Sequence, residues 1–251
     1  MGGVICNGSG GHLFLNDCVF EHNGIIRSSL SIYQTGYGGA IANEPEGYLS
    51  INNCTFIDNQ VDLHNGGKGG AVYSNSRMNF YVNNSTFESN NVNTVNQTNA
   101  ASCQGGAIYS GSAISSYFPQ YIKNSTFRGN AVSALSANSN PYPVNSEGGA
   151  VYIGGSSANR HIIENCTFRE NGIWPGSAAN SSGAGGAIFI GSGSVTVDRS
   201  SLTGSEVRAT GFRPIYGGGL YFNGTWLKLY NTTISGNTLI SGFFGYGVPA
   251  D

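Results

Sequence analysis

The sequence predicts an all-β fold, a right-handed parallel β-helix (solenoid) of about seven coils. Three observations carry the prediction. A Gly-Gly pair followed by a small and an aliphatic residue recurs along the chain, a Thr-Phe-x-x-Asn phrase follows most copies, and apolar residues alternate with polar ones at a period of two. The first glycines of the pairs are Gly2, Gly38, Gly69, Gly105, Gly148, Gly185 and Gly217, separated by 36, 31, 36, 43, 37 and 32 residues. Spacing varies while order does not, which is the signature of units that bury their faces only against their neighbours.

The first strand of each unit starts at the glycine pair, as in GGAVY at 69, GGAIY at 105, GGAVY at 148, GGAIF at 185 and GGGLY at 217. Glycine permits the positive φ or the close backbone approach that such a corner needs. Ile5, Ile41, Val72, Ile108, Val151, Ile188 and Leu220 align as one aliphatic column and are expected inside. A second strand shows as alternation in Leu13 and Leu15, Leu49 and Ile51, Phe80 and Val82, Val195 and Val197, and Leu227 and Leu229. A third comes from NCTFIDN at 53, NSTFESN at 84, NSTFRGN at 124 and NCTFREN at 165. It aligns Phe20, Phe56, Phe87, Phe127, Phe168, Leu202 and Ile234 as a second inward column.

Two-residue hairpin turns between the runs are missing, so like strands of successive copies are placed side by side in parallel, about 4.8 Å apart, in a prism about 34 Å long. Handedness follows the general preference of parallel connections. Burial of one such side chain is worth about 1.5 to 3 kcal/mol, enough for seven coils to stabilise themselves without disulfides. The 251 residues read as a single domain, a segment of a larger protein or assembly, because both ends of a coil expose strand edges.

Two polar columns accompany the apolar ones. Asn23, Asn59, Asn90, Asn130 and Asn171, then Ser205 and Asn237, stand three residues after the phenylalanine column and are expected to form amide ladders. Asn53, Asn84, Asn124, Asn165 and Asn231 precede the small residue and threonine, and an inward ladder is expected there too. These asparagines also begin acceptor triplets for N-glycosylation, but an inward side chain cannot carry a sugar; Asn96, Asn180 and Asn223 in the joints are the better acceptors. Cys18, Cys54 and Cys166 share a column with Ser85, Ser125, Ser200 and Thr232, which points to a small slot holding thiols rather than to a disulfide framework.

Charged residues make up only 10% of the chain, the formal net charge is -2, and the eleven Lys and Arg are scattered, so no basic face for nucleic acid is present. No apolar run long enough for a transmembrane helix occurs, and direct membrane insertion of this segment is not expected. The opening MGGVICNGSG starts inside the repeating pattern and lacks the basic and apolar regions of a signal peptide.

The alternation of GGA[I/V], at 38, 69, 105, 148 and 185, with FEHN at 20, FIDN at 56, FESN at 87, FRGN at 127 and FREN at 168 resembles the repeats of chlamydial polymorphic outer-membrane proteins and related large surface proteins. The resemblance spans nearly the whole chain. It implies a surface-exposed parallel β-helix used as a stalk, adhesin or scaffold, and an extracellular or cell-surface location, and it transfers no activity. The late coils depart from the pattern at Leu202, Ser205 and Ile234.

A β-helix also carries polysaccharide lyases and glycoside hydrolases, so an enzyme is the alternative reading. Such chemistry needs paired carboxylates, or calcium-binding acids with a base. Glu44 with Glu46 and Asp58 with Asp62 have no equivalents on neighbouring coils, and Glu21, Glu88, Arg128 and Arg169 read as a solvated charged stripe. His12, His22, His64 and His161 make no metal-ligand pattern, and no catalytic residue, cofactor or metal is assigned. Binding is the preferred reading. Tyr73, Tyr109, Tyr152, Phe189 and Tyr221 lie one place beyond the aliphatic column, where alternation turns them outward as an aromatic stripe for a protein or cell-surface glycan. The joints vary in length, and the longest, 131 to 147 with Tyr142 near its centre, is the preferred protrusion. End-to-end or lateral packing with other chains is a further expectation.

Overall fold

The computed structural model describes residues 3–26, 36–95, 101–111, 119–135, 144–175, 181–210 and 214–242. Those residues form a parallel β-helix with five sheets, four of seven strands and one of six. The second coil defines them: Ile41–Asn43 in sheet I, Tyr48–Asn52 in sheet II, Thr55–Ile57 in sheet III, Gln60–Leu63 in sheet IV and Gly66–Lys68 in sheet V. Register partners are equivalent residues of successive coils, for example Phe56, Phe87 and Phe127, or Ile41, Val72 and Ile108.

Both apolar columns face the interior through the middle coils, whereas Ile5 and Leu220 are only partly buried and Ile234 is exposed. Ile41, Val72, Ile108, Val151 and Ile188 are fully buried, as are Phe56, Phe87, Phe127 and Phe168. From Phe20 to Phe168 the rings lie 4.7 to 4.9 Å apart, within 6° of parallel, so the strand spacing sets the ring stacking. Sheet I is entered through the glycine pair. Gly105 has φ +68, and a Cβ on Gly106 would lie 2.0 Å from the Gly149 carbonyl oxygen of the next coil, so the first glycine supplies the conformation and the second the clearance.

The buried asparagine column explains the F-x-x-N spacing. Asp58, Ser89 and Glu170 adopt positive φ of 51 to 56°, which brings the next residue inward again at the corner. There Asn90 Nδ2 donates to the Phe56 carbonyl of the preceding coil (3.0 Å) and to Asn130 Oδ1 of the following one (3.0 Å). Asn90 Oδ1 accepts from the backbone N–H and side-chain amide of Asn59 (3.0 and 2.9 Å). Asn59 and Asn130 repeat the pattern, so amide and backbone groups that water cannot reach are paired. Ser205 is the weak rung: its Oγ accepts the Asn171 N–H at 3.3 Å, and it has no amide for the Asn171 Nδ2.

Two features differ from the sequence reading. The Asn53, Asn84, Asn124, Asn165 and Asn231 column is exposed rather than inward. All five adopt positive φ of 47 to 53°, which interrupts alternation and turns them out of the corner, and Asp17 and Arg199 occupy the same column in the same conformation. They still form a ladder, now in solvent, with Asn84 Nδ2 donating to Asn53 Oδ1 (3.1 Å) and Asn165 Nδ2 to Asn124 Oδ1 (2.9 Å). The joints, in turn, contain two strands each instead of loop alone, because Val92, Val132, Ile173 and Val207 of sheet IV bury a small second core with Cys103 and Val144 of sheet V. The cysteines are free thiols; burial pushes Cys103 up to about 12 and Cys166 to about 11, which keeps both protonated and unreactive.

Gln120 and His161 interrupt the inward apolar column of sheet II. They directly precede the register partners Tyr121 and Ile162, and His161 itself pairs with Val195. His161 is 1% exposed and neither ring nitrogen has a hydrogen-bond partner; Gln120 Oε1 and both amide atoms of the fully buried Asn159 are likewise unpaired within the protein. Burial lowers the His161 pKa to about 4.

Two predictions follow from these ladders. Asn90→Ala leaves the Phe56 carbonyl and two Asn59 donors unpaired and should cost at least about 3 kcal/mol, whereas Ser205→Asn, which restores a rung, should gain about 1 kcal/mol; urea denaturation measures both. Because His161 is depressed below its unfolded value of 6.5, the unfolded chain binds a proton that the fold refuses, and stability present above pH 6.5 is lost as pH falls toward 4, by roughly 3 kcal/mol. His161→Val should flatten that stretch of the pH–stability curve.

Candidate functional site

The side chains that the coil turns away from its interior form three outer surfaces. The first is the corner where sheets V and I meet. Its outward columns are Tyr37, Lys68, Gln104, Glu147, Ala184 and Tyr216 from sheet V and Tyr73, Tyr109, Tyr152, Phe189 and Tyr221 from sheet I. The corner is concave, since side chains of the two sheets touch across it: Tyr37 stacks on Tyr73 at 4.7 Å, and the Lys68 ammonium lies 4.6 Å from the Tyr109 ring centre and donates to its hydroxyl at 3.3 Å.

This geometry corrects the expected aromatic stripe. Tyr73, Tyr109 and Phe189 point away from the coil interior yet are only 7 to 8% exposed, and Tyr152 and Tyr221 are half-buried. The rings lie over glycine backbone, so that a Cβ on Gly111 would meet the Tyr109 hydroxyl at 2.4 Å and one on Gly154 the Tyr152 ring at 2.9 Å. They also stack on one another at 4.9 to 5.1 Å, which uses their faces internally and leaves edges outward. Beside them Gln104 Nε2 donates to Glu147 Oε2 at 2.6 Å. Burial raises the Glu147 carboxyl and lowers the Lys68 ammonium, each partly opposed by the attraction between the two, while burial pushes the Tyr109 phenol up to about 12. The corner is a packed polar and aromatic seam.

The second surface is the outer face of sheet II, which sequence reasoning missed. Tyr81 and Tyr121 stack at 4.9 Å and are half-exposed, with Tyr48 tilted against Tyr81 at 6.0 Å. Two residues along the strands run Asn52, Asn83 and Lys123, and a groove of about 430 Å³ is lined by Tyr81, Val82, Asn83, Tyr121 and Lys123. The signal lies in the alternation of Phe80-Tyr81-Val82, where inward Phe80 and Val82 turn Tyr81 outward, and Tyr121 before Ile122 repeats it on the next coil.

The third surface carries the charges of sheets II and III. Arg128 pairs with Glu88 (3.4 Å) and Glu170 (3.5 Å), Arg169 with Glu170 (2.9 Å), and Glu164 with Lys123 (2.7 Å) and Arg199. Glu46 faces Arg77 at 3.7 Å and Asp58 faces His22 at 3.7 Å. Glu164 is held below the usual carboxylate range by the hydrogen bond and charge of Lys123, and Glu170 by those of Arg169. The structure does not bring Glu44 and Glu46 or Asp58 and Asp62 together with other acids, and the described residues hold no cluster of three or more metal-ligating side chains. Among the joint positions, Asn223 is exposed, while Asn96, Asn180 and Tyr142 lie outside the described residues.

Comparison with known proteins places the repeat. Residues 53–75, which run from the Asn-Cys-Thr-Phe phrase of one coil to the Gly-Gly-Ala-Val-Tyr phrase of the next, match the family model of the Chlamydia polymorphic membrane protein (Chlamydia_PMP) repeat. Searches of curated proteins and of solved structures gave no match. The matched stretch holds Phe56, Asn59, Gly69, Gly70 and Val72, the residues that build a phenylalanine rung, an asparagine rung and a glycine corner. The stretch that matches this repeat runs through sheets III, IV and V to the next strand of sheet I, four of the five sheets of one turn of the β-helix.

Proposed function

We propose that this chain is a non-catalytic module of a cell surface, in which a rigid coil holds a lateral face and a row of joints toward a protein or glycan partner. The observation that carries this reading is the outer face of sheet II, where half-exposed Tyr81 and Tyr121 stand beside Asn83 and Lys123 on a backbone fixed by parallel pairing on both sides. Aromatic rings with amide and ammonium neighbours on a rigid support lose little freedom on binding, which favours recognition. The polymorphic membrane protein repeat supports the surface location.

The electrostatics support a non-catalytic reading. A general acid needs a raised pKa and access to a substrate. Here the accessible Glu164 and Glu170 are lowered by cation partners, and Glu147, which is raised, is bonded to Gln104 within the aromatic seam. The longest joint, 131 to 147, is a second contact region in this proposal, and coils packed end to end or side by side are a third.

Immobilised extracellular-matrix proteins and a glycan array test the reading by biolayer interferometry. The wild-type chain should bind at least one partner, and Tyr81→Ala with Tyr121→Ala should weaken that binding by at least about tenfold while the melting temperature moves by less than about 4 °C. Binding by neither surface, or reproducible depolymerisation of an array glycan, would overturn it.

A further inference from the structure

At the corner between sheets I and II, a groove of about 550 Å³ is lined by Pro119, Ser157, Ala158, Arg160, Ser194, Thr225 and Trp226. Its shape follows from register. Arg160, Ser194 and Trp226 are partners on three successive coils, so the two long side chains stand about 9.6 Å apart along the axis with a serine between them. The small middle residue leaves a notch between them, lined by the largely buried Ser194. Thr225 and Ser157 close one side through a hydrogen bond of 3.3 Å from Thr225 Oγ1 to the Ser157 carbonyl.

The charges around the notch are unusual for this chain. Among the described residues, Arg77, Arg128, Arg169, Arg199 and Arg208 each have a carboxylate partner within 4 Å, and Arg160, which is exposed, has none. Lys228 also lacks a carboxylate partner and instead places its ammonium 4.9 Å from the Trp226 ring centre. Two uncompensated cations therefore flank one indole. That indole differs from the tyrosines of the packed seam, because no other aromatic ring of the described residues stacks on it.

We propose that the Arg160–Trp226 groove binds a carboxylated sugar of an acidic polysaccharide, with Arg160 taking the carboxylate, Trp226 packing on the ring and Ser194 bonding a hydroxyl. Guanidinium matches a carboxylate in a planar, two-bond arrangement, and an indole packs against the apolar face of a pyranose. Paired with the Ser194 hydroxyl, these groups select a sugar that is anionic and ring-shaped, whereas a purely charged ligand would satisfy only the cations. The inference rests on the surface-binding reading above and names a ligand class for one groove.

The test titrates the chain with a hyaluronan octasaccharide, the same oligosaccharide with its carboxyls reduced to alcohols, and a poly-glutamate peptide, following the Trp226 indole N–H by NMR. Binding of the acidic oligosaccharide should shift that resonance, carboxyl reduction should weaken binding by at least about tenfold, and Arg160→Gln should do the same at unchanged melting temperature. Trp226→Ala should reduce affinity for the oligosaccharide more than for poly-glutamate. Poly-glutamate binding as tightly as the oligosaccharide would overturn the sugar assignment in favour of an acidic polypeptide. Oligosaccharide binding lost in the Tyr81 and Tyr121 variant but kept in Arg160→Gln would overturn this groove alone and leave the surface-binding reading standing. An octasaccharide that does not bind, in a chain that binds other partners on the array, would do the same.

Discussion

The structure depends on one constraint: equivalent residues of successive coils must lie in register at the strand spacing, so that side-chain amides can pair along the axis. Asn59, Asn90, Asn130 and Asn171 meet it with side chains that are at most 1% exposed. Each of the first three joins the phenylalanine carbonyl of the preceding coil to the amide oxygen of the following one. A shift of one residue would strand these groups in a dry interior, at a cost comparable to a large share of a domain's stability. The phenylalanine stack is non-directional by comparison; it fills the interior, and the amides choose the register.

That division explains why the lateral surface is suited to recognition. Because coils stack at one spacing, any outward column becomes a ruler on which small and large residues set grooves and ridges. Tyr81 beside Tyr121 makes a ridge, and Ser194 between Arg160 and Trp226 makes a notch. The same regularity can also remove a surface from use, as it does for Tyr109 and its neighbours, whose faces are taken up by each other and by Lys68.

Much of the interior was legible in the sequence, since Ile108 and Phe127 recur at aligned positions and only one side of a strand can accept them. The outward turn of Asn84 and Asn124 was not. Asparagine serves equally well in a buried amide ladder and at a corner with positive φ, and both columns occur in this chain a few residues apart. The strands of the joints were hidden because Val92 and Val132 contribute a single inward valine each, followed by insertions of different length. Burial of Tyr73 and Tyr109 was beyond alternation, which shows that a side chain leaves its own sheet and is silent about a second sheet folding back beside it. His161 lies on an inward position that the sequence pattern assigns to an aliphatic residue, and nothing local marks it as neutral and unpaired.

Hydrogen exchange of the asparagine side-chain amides tests the central claim most directly. If the coils stack as described, the Nδ2 hydrogens of Asn59, Asn90 and Asn130 exchange orders of magnitude more slowly than those of the exposed Asn84, Asn124 and Asn165. Equal exchange across the two columns would mean that the amide ladder is open to water, and the register that positions every surface discussed above would lose its support.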